Sequence, residues 1–178
     1  MKKMIVVDLD GVCSEFDKIF DQYVHSLFPD AGEPDITHYD FRERYPKYKS
    51  EMRNVFRDFV NDGMFLKAKA LPGIEKVSRL GATIITKRPK RATEDTYAWL
   101  VEHKIKFEKV IITTDKSKYV SETAVIMEDH PMYIMPFAKG GVHCFLFDHP
   151  YNRHIQHPNI HRVNGWFDID VEAVKKLV

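Results

Sequence analysis

Short apolar runs rich in β-branched or aromatic residues punctuate the chain at residues 4–7, 83–85, 110–112, 124–127 and 142–147. The first four are continuous rather than alternating, as expected of strands buried on both faces of a parallel sheet. Stretches with helical spacing lie between several of them. Ile74, Val77 and Leu80 stand at i, i+3 and i+6, after Pro72 and before Gly81, which occupies a helix C-cap position. Ala92, Thr96, Trp99, Leu100 and His103 repeat the pattern before the third run. Residues 132–137 read as a short helix broken by Pro136, and a last helix is predicted over 170–177. Strand alternating with helix implies a parallel α/β sheet with right-handed crossovers.

The alternation fails between the first strand and the helix at Gly73. There Phe16, Ile19, Phe20, Tyr23, Val24 and Leu27 trace one helical face, and Met52, Val55, Phe56, Phe59 and Val60 trace another. Residues 29–46, rich in Pro, Asp and aromatics, read as loop. Residues 14–69 are therefore expected to form a small helical cap inserted after the first strand, over a core of 1–13 and 70–178. The cap's apolar faces need a surface to pack against. The expected fold is a three-layer α/β sandwich with a five-stranded parallel, Rossmann-like sheet and this cap.

Composition narrows the function classes. The 178 residues carry 27 Lys and Arg against 26 Asp and Glu, so almost no net charge draws the chain to a membrane surface or to nucleic acid. No stretch approaches the roughly 18 apolar residues of a membrane span. The run ending at Val7 is shorter than a signal-peptide core of about 7–15 residues. Two cysteines, Cys13 and Cys144, are too few for a disulfide framework and read as reduced thiols. These features predict a soluble cytoplasmic protein.

In an open parallel sheet, ligands bind outside the carboxyl ends of the strands, so what each strand ends with matters. The first runs into Asp8-Leu9-Asp10-Gly11, the second into Thr86-Lys87-Arg88, the third into Asp115-Lys116, and the fourth into Glu128-Asp129. Crowded carboxylates repel unless a cation lies between them, and hard oxygen ligands suit Mg²⁺. Mg²⁺ in turn neutralises a phosphate dianion enough for a carboxylate to attack it and form a covalent intermediate. If the chain turns at Gly11, Asp10 swings round to protonate the leaving oxygen. Thr86 and Lys116 would bind the non-bridging oxygens, Lys116 being favoured over its neighbour Lys118.

Asp8-Leu9-Asp10-Gly11-Val12, Thr86, Lys116 and Glu128-Asp129, in this order, resemble the four motifs of the haloacid dehalogenase superfamily. The resemblance implies Asp8 as nucleophile and Asp10 as general acid, then base for the hydrolytic water. It also implies Mg²⁺ held by Asp8, the backbone carbonyl of Asp10 and an acid of the fourth motif, Asp129 rather than Glu128. Within that superfamily, Phe16, Phe65, Leu71-Pro72-Gly73, Asp115-Lys116, Tyr151-Asn152-Arg153-His154 and Trp166 are similar to the 5'(3')-deoxyribonucleotidases. That resemblance implies a nucleoside monophosphate substrate held between cap and core, with Phe16 and Phe65 as its aromatic contacts. Lys87 follows Thr86 where that family usually has a small hydroxyl residue. The family's paired cap tryptophans have no counterpart, and Tyr39 and Phe41 are the candidate substitutes.

Other readings stand beside these. Phe16 and Phe65 at helical spacing fit cap core as well as substrate contact. Lys87, Arg88, Lys90 and Arg91 are either a solvated face or a surface that steers an anionic substrate. The late histidines match no closed zinc spacing. A sugar phosphate or a polynucleotide 3'-end are the alternative substrates, the latter disfavoured by the near-neutral charge. A phospholigand-binding domain without activity would have no need of a proton donor at Asp10.

Overall fold

The computed structural model describes residues 3–178. Its strands are β1 (Met4–Val7), β2 (Thr83–Thr86), β3 (Val110–Ile112), β4 (Thr123–Glu128), β5 (His143–Phe147) and β6 (Ile160–Val163). They form one sheet in the order β3-β2-β1-β4-β5-β6, with every pairing parallel. The helices are α1 (Phe16–Leu27), α2 (Phe41–Arg44), α3 (Met52–Asn61), α4 (Glu75–Leu80), α5 (Thr93–Glu102), α6 (Pro131–Lys139) and α7 (Val171–Lys175).

The period of two along each strand divides the interior into two cores. Ile5 and Val7, Ile84, and Val125 and Met127 pack with Val77, Trp99, Leu100 and Val174 from α4, α5 and α7. Val6, Ile85 and Ile126 point the other way, onto Ile134, Phe137 and Ala138 of α6. The result is the three-layer α/β arrangement with a Rossmann-like sheet.

Two details correct the sequence reading. The sheet has six strands, not five. In β6, Ile160 and Val163 pair with Cys144 and Phe147, while His161 and Arg162 between them are exposed. An edge strand this short and half polar leaves no apolar run to detect. Helix α6 also continues through Pro136 rather than breaking there. Burial of Ile134, Phe137 and Ala138 on the sheet offsets the backbone bond that proline removes.

A third cluster joins Phe16, Phe20 and Val24 of α1 to Met52, Val55, Phe59 and Val60 of α3, with Tyr45, Phe65 and Ala92. Phe59 stands edge-on to Phe16, Phe20 and Phe65 at centroid distances of 5.7, 5.4 and 5.3 Å. Within the stretch that reads as loop, Asp40 caps the short α2 by accepting from the Arg42 backbone N–H. Buried Arg44 ties it to α1 through Asp17 at 2.9 Å. The chain leaves and re-enters the sheet region side by side: Glu15 N–H donates to Lys69 O at 2.8 Å, and Leu71 N–H to Cys13 O at 2.8 Å.

Candidate active site

The loop after β1 closes tightly. The Leu9 carbonyl accepts from the N–H groups of Cys13 and Ser14 at 2.7 and 2.9 Å. Gly11 turns it with φ +82°, and a Cβ there would stand 2.6 Å from Asp129 Oδ2, so two independent constraints require glycine. Buried Trp166 braces the loop from below, its indole N–H donating to Val12 O at 2.7 Å.

This turn sends Asp8 and Asp10 to different partners. Asp8 Oδ1 lies 2.7 Å from Lys116 Nζ, which lies 2.7 Å from Glu128 Oε2 in turn. The other Glu128 oxygen accepts from the backbone N–H groups of Asp129 and His130 at 3.1 and 3.0 Å. Asp129 Oδ2 accepts from the Tyr151 hydroxyl. Asp10, in contrast, meets Arg88: Nη2 reaches Oδ1 at 2.7 Å and Nε reaches Oδ2 at 3.0 Å. Ser14 Oγ donates to Asp10 Oδ1 at 2.9 Å. The Arg88 backbone N–H donates to Thr86 Oγ1 at 3.2 Å, leaving the Thr86 hydroxyl hydrogen free for an acceptor in the cavity.

Burial raises Asp8 to about 7, against the lowering charge of Lys116; nearby Glu128 and Asp10 raise it further. Asp129 is also held well above the ordinary carboxylate range, by burial and then by the charges of Glu128 and Asp8. For Glu128 burial acts upward too, but the charge of Lys116 and the hydrogen bonds bring it below the usual value. Burial opposes the charge on Lys116, yet Asp8 and Glu128 hold its pKa above that of a free lysine.

One carboxylate oxygen from each of Asp8, Glu128 and Asp129 lies within 4.8 Å of the other two, buried, with Lys116 paired to Asp8 and Glu128. Ionising all three buried acids against one paired lysine would leave surplus negative charge for a cation to offset, and the donors are all hard oxygens. The set fits a divalent cation.

A cavity of about 220 Å³ opens over this cluster. Asp8, Asp10, Thr86, Lys87, Lys116 and Glu128 all line it, as do Phe16 and Phe65; Asp129 lies beneath in the carboxylate cluster. Sequences up to 120 residues apart thus converge on one point because they follow consecutive strands of one sheet. Phe16 and Phe65 are 8% and 1% exposed, so most of each ring belongs to the aromatic cluster. Tyr39 and Phe41 also reach the wall. The basic run divides: Arg88 is buried on Asp10, Lys87 donates to the Tyr133 hydroxyl, and Lys90 and Arg91 are exposed.

Sequence reasoning did not find Phe56, His130, Tyr133 or the inward turn of Arg88. Burial pushes His130 down to about 4, so its ring enters the wall uncharged at neutral pH. It packs against Tyr39 at 3.8 Å between centroids. Its place directly after Glu128-Asp129 was the available signal.

A family model described as "5' nucleotidase, deoxy (Pyrimidine), cytosolic type C protein" matches residues 2–177. The chain belongs to this family. As a member of the cytosolic type C 5'-nucleotidases it is a phosphatase of the haloacid dehalogenase type. Solved structures with the same fold include CbbY from Rhodobacter sphaeroides in complex with phosphate, at 15% identity and TM-score 0.62. The match covers 94% of this chain and 96% of that one. A haloacid dehalogenase-like hydrolase from Xanthomonas campestris matches at 13% identity and TM-score 0.62, over 99% and 96% of the two chains. A further hydrolase of that kind, from Streptococcus pneumoniae, matches at 14% and 0.58 over 83% and 85%. At such identities the likeness is one of fold. No curated protein sequence matches the chain. Among the described residues of this 5'-nucleotidase family member, no helix is long and apolar enough to cross a membrane.

Proposed function

We propose that the protein is a Mg²⁺-dependent nucleotidase that releases phosphate from nucleoside monophosphates through an aspartyl-phosphate on Asp8. The observation that carries this reading is the division of labour between the two acids. Asp8 sits with Lys116 and the carboxylate cluster, while Asp10 is held apart on Arg88 and Ser14.

In the first step an Asp8 oxygen bonds to phosphorus, the bond from phosphorus to the ester oxygen breaks, and Asp10 gives that oxygen its proton. In the second, a water oxygen bonds to phosphorus as Asp10 takes its proton, and the bond from phosphorus to Asp8 breaks. Thr86 donates its hydroxyl and Lys116 its ammonium to the non-bridging oxygens. Asp8, the Asp10 carbonyl and Asp129 are the proposed ligands of Mg²⁺, which when bound offsets the negative charge of carboxylates and phosphate. Asp129 is preferred to Glu128 because both Glu128 oxygens are already committed, to Lys116 and to two backbone amides.

Residues 14–69 act as a cap that excludes water while the intermediate forms. Phe16, Tyr39, Phe41, Phe56 and Phe65 line the cavity and suit the flat face of a nucleobase. Two free, buried cysteines suit a reducing, cytoplasmic setting.

The test is phosphate release from ribo- and deoxyribonucleoside 5'- and 3'-monophosphates and from sugar phosphates, with Mg²⁺ and with EDTA. Mg²⁺-dependent turnover concentrated on nucleotides is expected. Turnover of sugar phosphates alone would remove the nucleotide assignment and keep the Asp8 chemistry.

A further inference from the structure

No step of the proposed reaction uses Arg88, a buried charge that lines the cavity beside Asp10. We infer that Arg88 is a positioning residue for Asp10, fixing its carboxylate where it reaches the ester oxygen; this rests on the phosphatase reading. A planar guanidinium fork holds both oxygens of a carboxylate at once, which a point charge does not. Here both Asp10 oxygens are engaged, at 2.7 and 3.0 Å. The other side-chain contact of Asp10, Ser14 Oγ, touches one oxygen and alone leaves the carboxylate free to turn about it.

The fork is itself immobilised. The Arg88 side chain is 0% exposed. Its guanidinium carbon lies 4.3 Å from the centroid of Phe65 and 5.7 Å from that of Trp99. Trp99 is anchored by its N–H on Ala68 O at 2.7 Å, and the Arg88 backbone is tied to Thr86. Phe65 belongs to the aromatic cluster of α1 and α3, and Trp99 to the core beneath the sheet. Arg88 therefore spans both and delivers their rigidity to one carboxylate. Its Nη1 is buried with no hydrogen-bond partner among the described residues. An apolar side chain would fill the slot without that orphan, so packing alone gives no reason for a guanidinium there.

The experiment compares kcat/KM for a nucleoside 5'-monophosphate and for p-nitrophenyl phosphate in the native chain, Arg88→Lys and Arg88→Met. This ratio covers the steps up to release of the alcohol. A nucleoside leaves as an alkoxide that needs the Asp10 proton; p-nitrophenolate departs without one. In both variants the value for the nucleotide should fall about 100-fold, the lower range of general acid catalysis, and that for p-nitrophenyl phosphate less than about tenfold. The lysine, charged but unforked, should not rescue. In an Asp10→Asn background the Arg88 changes should have no further effect on the nucleotide.

Equal losses on both esters, as a structural role would produce, or no loss on either, would overturn the inference. A native chain that is folded but turns over neither ester overturns the nucleotidase reading and this inference with it. Should the lysine variant not fold, Arg88→Met, which packs an apolar chain against Phe65, carries the test.

Discussion

At the scale of single residues, the site depends on two neighbouring acids with different surroundings. Asp8→Asn removes the oxygen proposed to attack phosphorus while keeping the shape. Turnover should fall to background, and binding of inorganic phosphate, followed by titration calorimetry, should persist because Thr86 and Lys116 remain. Residual turnover in a clean preparation would refute the covalent route. Gly11→Ala should be harmful out of proportion to its size. It forces a side chain into φ +82° and places a methyl 2.6 Å from Asp129 Oδ2. A loss of about 1–3 kcal/mol in denaturant unfolding is expected, with loss of turnover as Asp129 is displaced. The pairing of Asp8 with Asp10 was readable because the motif is local. The inward turn of Arg88 was not, since its partner lies 78 positions away and its immediate neighbours are Lys and Pro.

At the scale of elements, β6 joins the sheet through its side chains as well as its ladder. Asp148, just beyond β5, accepts from Arg162 of β6 at 2.8 Å and from Arg153 at 2.9 Å. Burial tends to raise its pKa, but the hydrogen bonds and charges of Arg153 and Arg162 hold it below the ordinary value. A depressed carboxyl contributes stability above its unfolded pKa of about 3.9, and that contribution is lost as pH falls through the lower folded value. Asp148→Asn should therefore cost about 0.5–1 kcal/mol at pH 7, a small figure because both arginines are partly exposed. The gap from the native chain should close below about pH 4 in urea unfolding followed by fluorescence. A gap independent of pH would mean that packing, not charge, links β5 to β6. The buried strands were legible as apolar runs. This edge strand was not, because two of its four positions face solvent.

At the scale of the whole molecule, three buried acids, of which one lysine pairs with only two, oppose folding, and a bound cation should relieve that opposition. Millimolar Mg²⁺ is expected to raise the thermal midpoint by a few degrees, and Asp129→Asn to abolish the rise. Scanning calorimetry reads both without reference to turnover. An unchanged midpoint in the native chain would argue against a resident divalent cation.

The sequence by itself determined the five strands that are apolar runs, which carboxylates, hydroxyl and lysine follow four of them, and that a helical segment interrupts the alternation. Those features depend on local periodicity and on the rule that parallel strands present their carboxyl ends together. Only the tertiary structure decided which charges pair. Arg88 goes to Asp10 and Lys116 to Asp8 and Glu128, while Lys87 rests on a tyrosine hydroxyl. It also decided that the sheet takes a sixth strand and that α6 runs through Pro136. Pairing and burial depend on what distant elements bring alongside, and a charge or a proline looks the same along the chain whether it faces solvent or a partner.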